Sequence, residues 1–113
     1  MLHEMKLQSK YFDKIKSGEK IYEIRLNDEK RKIIDAGDTI IFSREPDLKE
    51  KITTIVQDLV YFASFEEMAQ TLPTKKIGFD NLDTKSIVDI YHTFYSQENE
   101  KKYGVVAIKV KTL

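Results

Sequence analysis

The chain has 113 residues, enough for one domain (1–113) with a modest hydrophobic core. Its 19 Lys and Arg residues balance 19 Asp and Glu residues, which argues against an indiscriminate nucleic-acid binder. The lack of cysteine excludes disulfides and thiolate zinc sites, and two histidines argue against a histidine-rich metal site. No apolar run approaches a membrane span or a secretory signal. We therefore expect a cytoplasmic protein that takes no metal, no cofactor and no membrane partner.

The first half of the chain predicts four strands and one helix. Alternating or β-branched residues predict the strands His3–Leu7, Lys20–Leu26, Thr39–Ser43 and Lys51–Tyr61. Between the first two strands, Ser9 is predicted to cap a short helix that ends at Gly18. Asn27–Lys32 predicts a loop or a single helical turn, and Gly37 a tight turn.

The second half predicts two helices and a last strand. Capping signals place one helix after Ser64 and another after Asp83 or Thr84. Gln97–Lys102 is polar and predicts a loop, whereas Tyr103–Val110 predicts a strand in the middle of a sheet. The resulting order, β-α-β-β-β-α-α-β, predicts an α+β fold with a small curved sheet or a partly closed barrel.

Charge is unevenly distributed along the chain. Residues 10–32 hold eight Lys and Arg against five Asp and Glu, whereas residues 64–100 hold three against seven. The basic segment ends in the cluster Lys30, Arg31 and Lys32. Two interpretations are open: a solvated surface of mixed sign, or a face that attracts phosphates.

The segment around the second strand carries the first candidate site. Glu23 and Arg25 are two residues apart, so their side chains share one strand face and can form an ion pair. A partly buried Lys20 could have a lowered pKa, and Arg25 could clamp a phosphate or a base edge. An ordinary exposed strand face would show the same pattern. A regular strand places Lys20 and Glu23 on opposite faces, so a shared site requires a bulge or a bend after Gly18.

Aromatic residues are the second candidate, because unpaired bases are often held by stacking. The sequence offers five such rings: Tyr22, Phe42, Tyr61, Phe79 and Tyr103. Most of them are expected in the core, and Phe79 is the favoured candidate because it lies in an irregular segment beside a glycine. Tyr91, Phe94 and Tyr95 are predicted to pack as part of their helix.

The residues along the whole chain resemble the ASCH domains, which are relatives of the PUA domain. The resemblance rests on Gly18-x-Lys20, Glu23-Ile24-Arg25, Gly37-Asp38 before Thr39–Phe42, Ser64-Phe65-Glu66-Glu67, Tyr91-His92-x-x-Tyr95 and Tyr103-Gly104. It implies a small PUA-like β-barrel of about five strands with two to three packed helices. It also implies a cleft lined by the segment from Gly18 to Arg25.

The first function that the resemblance implies is binding of RNA, a nucleoside or a nucleotide. The residues expected to bind are Gly18, Lys20, Glu23, Arg25, Lys30, Arg31, Lys32 and Phe79.

The alternative is an amidohydrolase acting on a modified nucleoside such as N4-acetylcytidine. Members of that type use a lysine, a threonine three positions later and a downstream acid. Lys20 matches the lysine, Glu23 stands at the threonine position, and Asp80 lies near the acid, which makes these three the candidate catalytic residues. A regulatory domain without catalysis is a third possibility. The sequence does not identify protein partners.

Overall fold

The strands form one curved five-stranded sheet that makes a half-barrel. The computed structural model describes residues 1–113. The strands are β1 (Leu2–Leu7), β2 (Tyr22–Leu26), β3 (Thr39–Arg44), β4 (Lys51–Phe62) and β5 (Val105–Thr112). Their order across the sheet is β1-β3-β4-β5-β2. The β1–β3 pair is parallel and the other neighbouring pairs are antiparallel. Because β1 and β2 each have a single partner, the barrel is open between these two strands.

Four α-helices and one 3₁₀ helix complete the α+β fold that the sequence predicted. They are α1 (Ser9–Ser17), α2 (Phe65–Thr71), the 3₁₀ helix (Thr74–Ile77), α3 (Thr84–His92) and α4 (Gln97–Tyr103). No helix combines the length and the apolar character that crossing a membrane requires.

Helix α4 corrects the prediction of a polar loop at Gln97–Lys102. Ser96 caps this helix by accepting a hydrogen bond from the main-chain N–H of Asn99. Acidic residues in its first turn and lysines in its last turn match the helix dipole. Only Glu100 of the helix is buried, so the apolar stripe that usually reveals a helix is missing.

Other boundaries also differ from the prediction. The last strand begins at Val105 and not at Tyr103, which ends α4. Gln8, not Ser9, is the N-cap of α1, and the Ser9 hydroxyl donates instead to the Glu45 carbonyl. The second strand begins at Tyr22, so Lys20 lies before the strand and not on it. The start of β2 decides where the Lys20 side chain can reach.

The core lies on both faces of the sheet. Val106, Ile108 and Val110 of β5 join a cluster with α1 and strands β1 and β3. Val105 and Ala107 join a second cluster with α2 and α3. Both faces of β5 are therefore buried, which explains its nearly continuous apolar sequence and confirms its predicted place inside the sheet.

Candidate functional site

A cavity of about 210 Å³ opens at the gap between β1 and β2. Its walls include Lys6 and Leu7 from β1, Tyr11 from α1, and Glu23 and Arg25 from β2. The end of α3 and the residues after it form another wall, and Gln8 and Glu45 also line the cavity. The cavity therefore lies at the only interruption of the half-barrel, between the two edges of the sheet.

The two sheet edges turn main-chain groups toward this gap. At the ends of β2, the Ile21 carbonyl accepts a hydrogen bond from Val110 N–H of β5, and Asn27 N–H donates to the carbonyl of Gly104, just before β5. The main chains of the odd-numbered residues between them therefore point toward β5. The main chain of Ile24 therefore points away from β5. On β1, the Leu7 carbonyl accepts a hydrogen bond from Glu45 N–H, just after β3. The main chain of the preceding residue, Lys6, therefore points away from β3 and toward the gap. Apart from the Lys6 carbonyl, which accepts a hydrogen bond from Arg25, these main-chain groups have no partner strand across the gap.

Glu23 is the centre of a buried cluster of charges. It is 6% exposed, its Oε2 accepts a hydrogen bond from Arg25 Nε at 2.7 Å, and its Oε1 lies 3.3 Å from Lys20 Nζ. Burial alone would raise the pKa of Glu23, but the two cations outweigh burial and hold that pKa below its usual value. With one carboxylate between two cations, the cluster carries a net positive charge.

Lys20 lies behind the cavity and does not line it. Its ammonium donates to the carbonyls of Tyr22 and Ile77 and faces Glu23, so its three protons have three acceptors. Burial lowers the pKa of Lys20, and Glu23 offsets that effect only in part. Gly78 borders this side chain: a Cβ there would lie 2.9 Å from Lys20 Cδ, and its φ of +103° favours glycine.

The bend that the sequence required after Gly18 is present. Gly18 ends α1 in the left-handed conformation, with φ of 85°. The chain then turns so that Lys20 precedes β2 and its ammonium reaches the face occupied by Glu23. Gly18 itself does not line the cavity.

Arg25 spans the gap and presents a free donor to the cavity. Its Nη2 donates to the Lys6 carbonyl at 3.0 Å, which links β2 to β1. Its side chain is 18% exposed and its Nη1 donates no hydrogen bond within the protein. Burial would lower the pKa of Arg25, but Glu23 outweighs that effect and raises it. The guanidinium is therefore charged at every physiological pH.

Tyr91 and Tyr95 add two hydroxyl groups to the cavity wall. Neither hydroxyl makes a hydrogen bond within the protein, and neither oxygen is enclosed. Burial raises the pKa of both phenols; Glu23 adds to this effect for Tyr91, and for Tyr95 burial outweighs the opposing effect of Arg25. Both groups therefore stay protonated at neutral pH and can donate to a ligand. The rings are held by Phe65, whose centroid lies 4.8 Å from that of Tyr91 and 5.6 Å from that of Tyr95.

Two aromatic residues, Phe79 and Phe94, lie in surroundings that differ from those that the sequence predicted. Phe79 is 5% exposed, and its ring meets Tyr11 and Tyr91 edge to face, so it belongs to the core and offers no face to a base. Phe94, predicted to pack with its helix, is 54% exposed and lines the cavity. The apolar spacing of α3 runs on to Phe94, but the helix ends at His92, so Phe94 leaves the buried face.

Asp80 and the basic cluster lie outside the cavity. The Asp80 side chain is 57% exposed and pairs with Lys14 at 3.0 Å, and hydrogen bonding to Lys14 lowers its pKa. Arg31 and Lys32 pair with acidic neighbours in their own turn. The site residues that meet are thus Lys20, Glu23 and Arg25. No group of three or more His, Asp or Glu side chains is placed to hold a metal ion.

Comparisons with known proteins agree with this architecture. The family model of the ASCH domain matches residues 5–113. The crystal structure of hypothetical protein PH0355 is similar, with a TM-score of 0.90 and 38% identity over 100% of both chains. So is the solution NMR structure of protein PF0455 from Pyrococcus furiosus, with a TM-score of 0.80 and 36% identity over 100% of this chain and 98% of that one. None of the curated proteins matches the chain.

Proposed function

The chain belongs to the ASCH domain family, and we propose that its cavity binds the base of a nucleoside or of single-stranded RNA. The observation that carries this proposal is the buried Glu23–Arg25 pair in an aromatic-walled cavity between two open sheet edges. Buried charges are costly to maintain. A pair of them facing a cavity is therefore a candidate for ligand recognition.

The size and the walls of the cavity fit a flat aromatic ligand. Its volume of about 210 Å³ is below the roughly 300–1,000 Å³ of pockets for drug-sized molecules. Tyr11, Tyr91 and Tyr95 supply ring surfaces, and Glu23 and Arg25 supply charged groups. Single-stranded RNA is recognised in this way, by stacking and by hydrogen bonds to base edges.

The polar groups can both donate and accept. Arg25 has a free Nη1, and the tyrosine hydroxyls add further donors. Each Glu23 oxygen keeps a lone pair after its bond to Arg25 or its contact with Lys20. A base edge carries the same mixture of donors and acceptors. The net positive charge of the cluster also favours carbonyl oxygens and phosphates over cationic ligands.

The test is titration of the four ribonucleosides and of short single-stranded RNA into the protein and its Arg25→Ala variant. We expect Arg25→Ala to weaken binding roughly 10- to 100-fold, the usual loss for a hydrogen bond to a charged group. Arg44→Ala is the matched control, since Arg44 pairs with Asp13 and Glu50 and does not line the cavity. No binding by the unmodified protein, or equal binding by Arg25→Ala, would overturn the proposal.

Hydrolysis of an exocyclic amide on a nucleoside is the second candidate, favoured by one observation. Burial lowers the pKa of Lys20, and its ammonium lies 3.3 Å from Oε1 of Glu23, a residue that lines the cavity. Such a pair can exchange a proton. Incubation with N4-acetylcytidine would show cytidine release that is lost in Lys20→Ala and kept in Lys85→Ala, an exposed lysine. Absence of release at high enzyme concentration would count against this reaction.

A further inference from the structure

We propose that Phe94 is a stacking platform for a second base, the neighbour of the base held in the cavity. This inference rests on the proposed function and extends it: the preferred ligand is a single strand of at least two nucleotides, not a free nucleoside. The residue has no role in the binding of the first base by Glu23 and Arg25.

The first argument is the exposure of the Phe94 ring. It is 54% exposed, whereas Tyr91, on the same wall of the cavity, is 8% exposed. Of the large apolar side chains that are exposed, Phe94 is the only one that lines the cavity. An aromatic ring that is so exposed at the mouth of the cavity contributes little to the core, so its surface is available to a ligand.

The second argument is that the position of Phe94 is fixed. The main-chain N–H groups of Phe94 and Tyr95 both donate to the Tyr91 carbonyl, at 3.0 and 2.9 Å. Thr93 N–H donates to the Ile90 carbonyl at 3.1 Å. Tyr95, the next residue, is stacked on buried Phe65. The backbone that carries the ring is therefore ordered before a ligand arrives, which lowers the entropic cost of stacking on it.

The third argument is the size of the cavity. About 210 Å³ is small for a ligand larger than a nucleoside, so the rest of a strand must leave through the mouth. Phe94 lies there, Glu23 and Arg25 lie within, and Lys20 lies behind them and makes the cluster net positive. An emerging strand thus meets an exposed ring next to a site that attracts its phosphates. Small RNA-binding domains combine these two features, and stacking on a ring tolerates any base.

The experiment compares a nucleoside with a short homo-oligonucleotide of the same base, for three variants. Phe94→Ala removes the ring, Phe94→Trp keeps a stacking surface, and Tyr61→Ala is the control because Tyr61 is 57% exposed but does not line the cavity. We expect Phe94→Ala to weaken oligonucleotide binding roughly 5- to 100-fold, the range for loss of one stacked base. Nucleoside binding should change by less than about twofold, because the first base does not use Phe94. Phe94→Trp should restore oligonucleotide binding, and Tyr61→Ala should change neither affinity.

The outcomes separate this inference from the proposed function. If the nucleoside binds and Phe94→Ala leaves oligonucleotide affinity unchanged, the platform is overturned and the base cavity stands. If Phe94→Ala weakens both ligands equally, Phe94 is part of the first base's wall and the platform is again overturned. If neither ligand binds the unmodified protein, the proposed function fails and the platform fails with it.

Discussion

Glu23, Arg25 and Lys20 form a unit in which no member can be removed without consequence. Glu23 is the one anion between two cations, and the pair Glu23–Lys20 is almost fully buried. Loss of a partner from a buried ion pair costs much more than the pair contributes, because an uncompensated charge remains. The removal of Glu23 leaves two such charges, whereas the removal of Lys20 leaves a balanced Glu23–Arg25 pair.

We therefore predict that Glu23→Ala lowers the free energy of unfolding by about 3–5 kcal/mol. Lys20→Met, which keeps the length of the side chain, should cost less, although the carbonyls of Tyr22 and Ile77 lose their donor. Urea unfolding of the two variants measures both losses. A larger loss for Lys20→Met than for Glu23→Ala would contradict the picture of Glu23 as the centre of the cluster.

The sequence revealed this cluster because charged residues on a half-buried strand are conspicuous. It could not show that Lys20 and Glu23 meet, since that depends on the bend at Gly18 and on β2 beginning at Tyr22. Nor could it place Phe79, because the irregular segment after the 3₁₀ helix, which directs the ring into the core, has no distinctive pattern. A glycine neighbour indicates an irregular backbone but says nothing about which way the next side chain points.

At the scale of elements, the strands were the most predictable part. Runs of apolar and β-branched residues placed β3 and β4 to within one residue at each end. Helix α4 escaped prediction because it buries only Glu100. That carboxylate accepts a hydrogen bond from Phe65 N–H at 2.7 Å and lies 2.7 Å from His92 Nε2. Since Phe65 supports Tyr91 and Tyr95, α4 indirectly holds the wall of the cavity.

A helix with so little buried surface depends strongly on its cap. We predict that Ser96→Ala lowers the free energy of unfolding by about 1 kcal/mol, the usual loss for an N-cap. Ser64→Ala is the matched comparison, because both hydroxyls accept from the third helical N–H at 3.1 Å. Thermal and urea unfolding should show that Ser96→Ala and Ser64→Ala lower the free energy of unfolding by similar amounts. An unchanged stability for Ser96→Ala alone would mean that Glu100 holds α4 without the cap.

At the scale of the whole molecule, the cavity is a consequence of strand order. β1 and β2 are neighbours in the chain but lie at opposite ends of the sheet, because β2 pairs with β5 and β1 with β3. The curvature of the sheet brings these two edges toward each other, and Arg25 joins them through the Lys6 carbonyl. A partly closed barrel was predictable from the order of elements. The position of its opening was not, because it is set by pairings between distant parts of the chain.

Because β1 pairs only with β3, it also depends on a side-chain contact at its start, between His3 and Asp38. Asp38, in the turn before β3, lies 2.8 Å from His3 Nε2 and accepts a hydrogen bond from Asp35 N–H at 3.0 Å. The hydrogen bond with His3, followed by that from Asp35, holds the pKa of Asp38 well below its usual value. A carboxyl whose pKa is lower in the folded state stabilises the protein above its unfolded pKa, and that stabilisation is lost as the pH falls.

We predict that Asp38→Asn is less stable than the unmodified protein at neutral pH, and that the difference narrows as the pH falls below about 4, near the pKa of an unfolded aspartate. The melting temperatures of both proteins, measured from neutral pH down to about pH 2.5, give the loss of stability and its dependence on pH. Asp58→Asn is the control, because Asp58 is exposed and forms no ion pair; its only side-chain hydrogen bond is local, from Leu59 N–H. A difference between Asp38→Asn and the unmodified protein that stays constant with pH would show that the hydrogen-bond geometry, and not the charge of Asp38, holds β1 in the sheet.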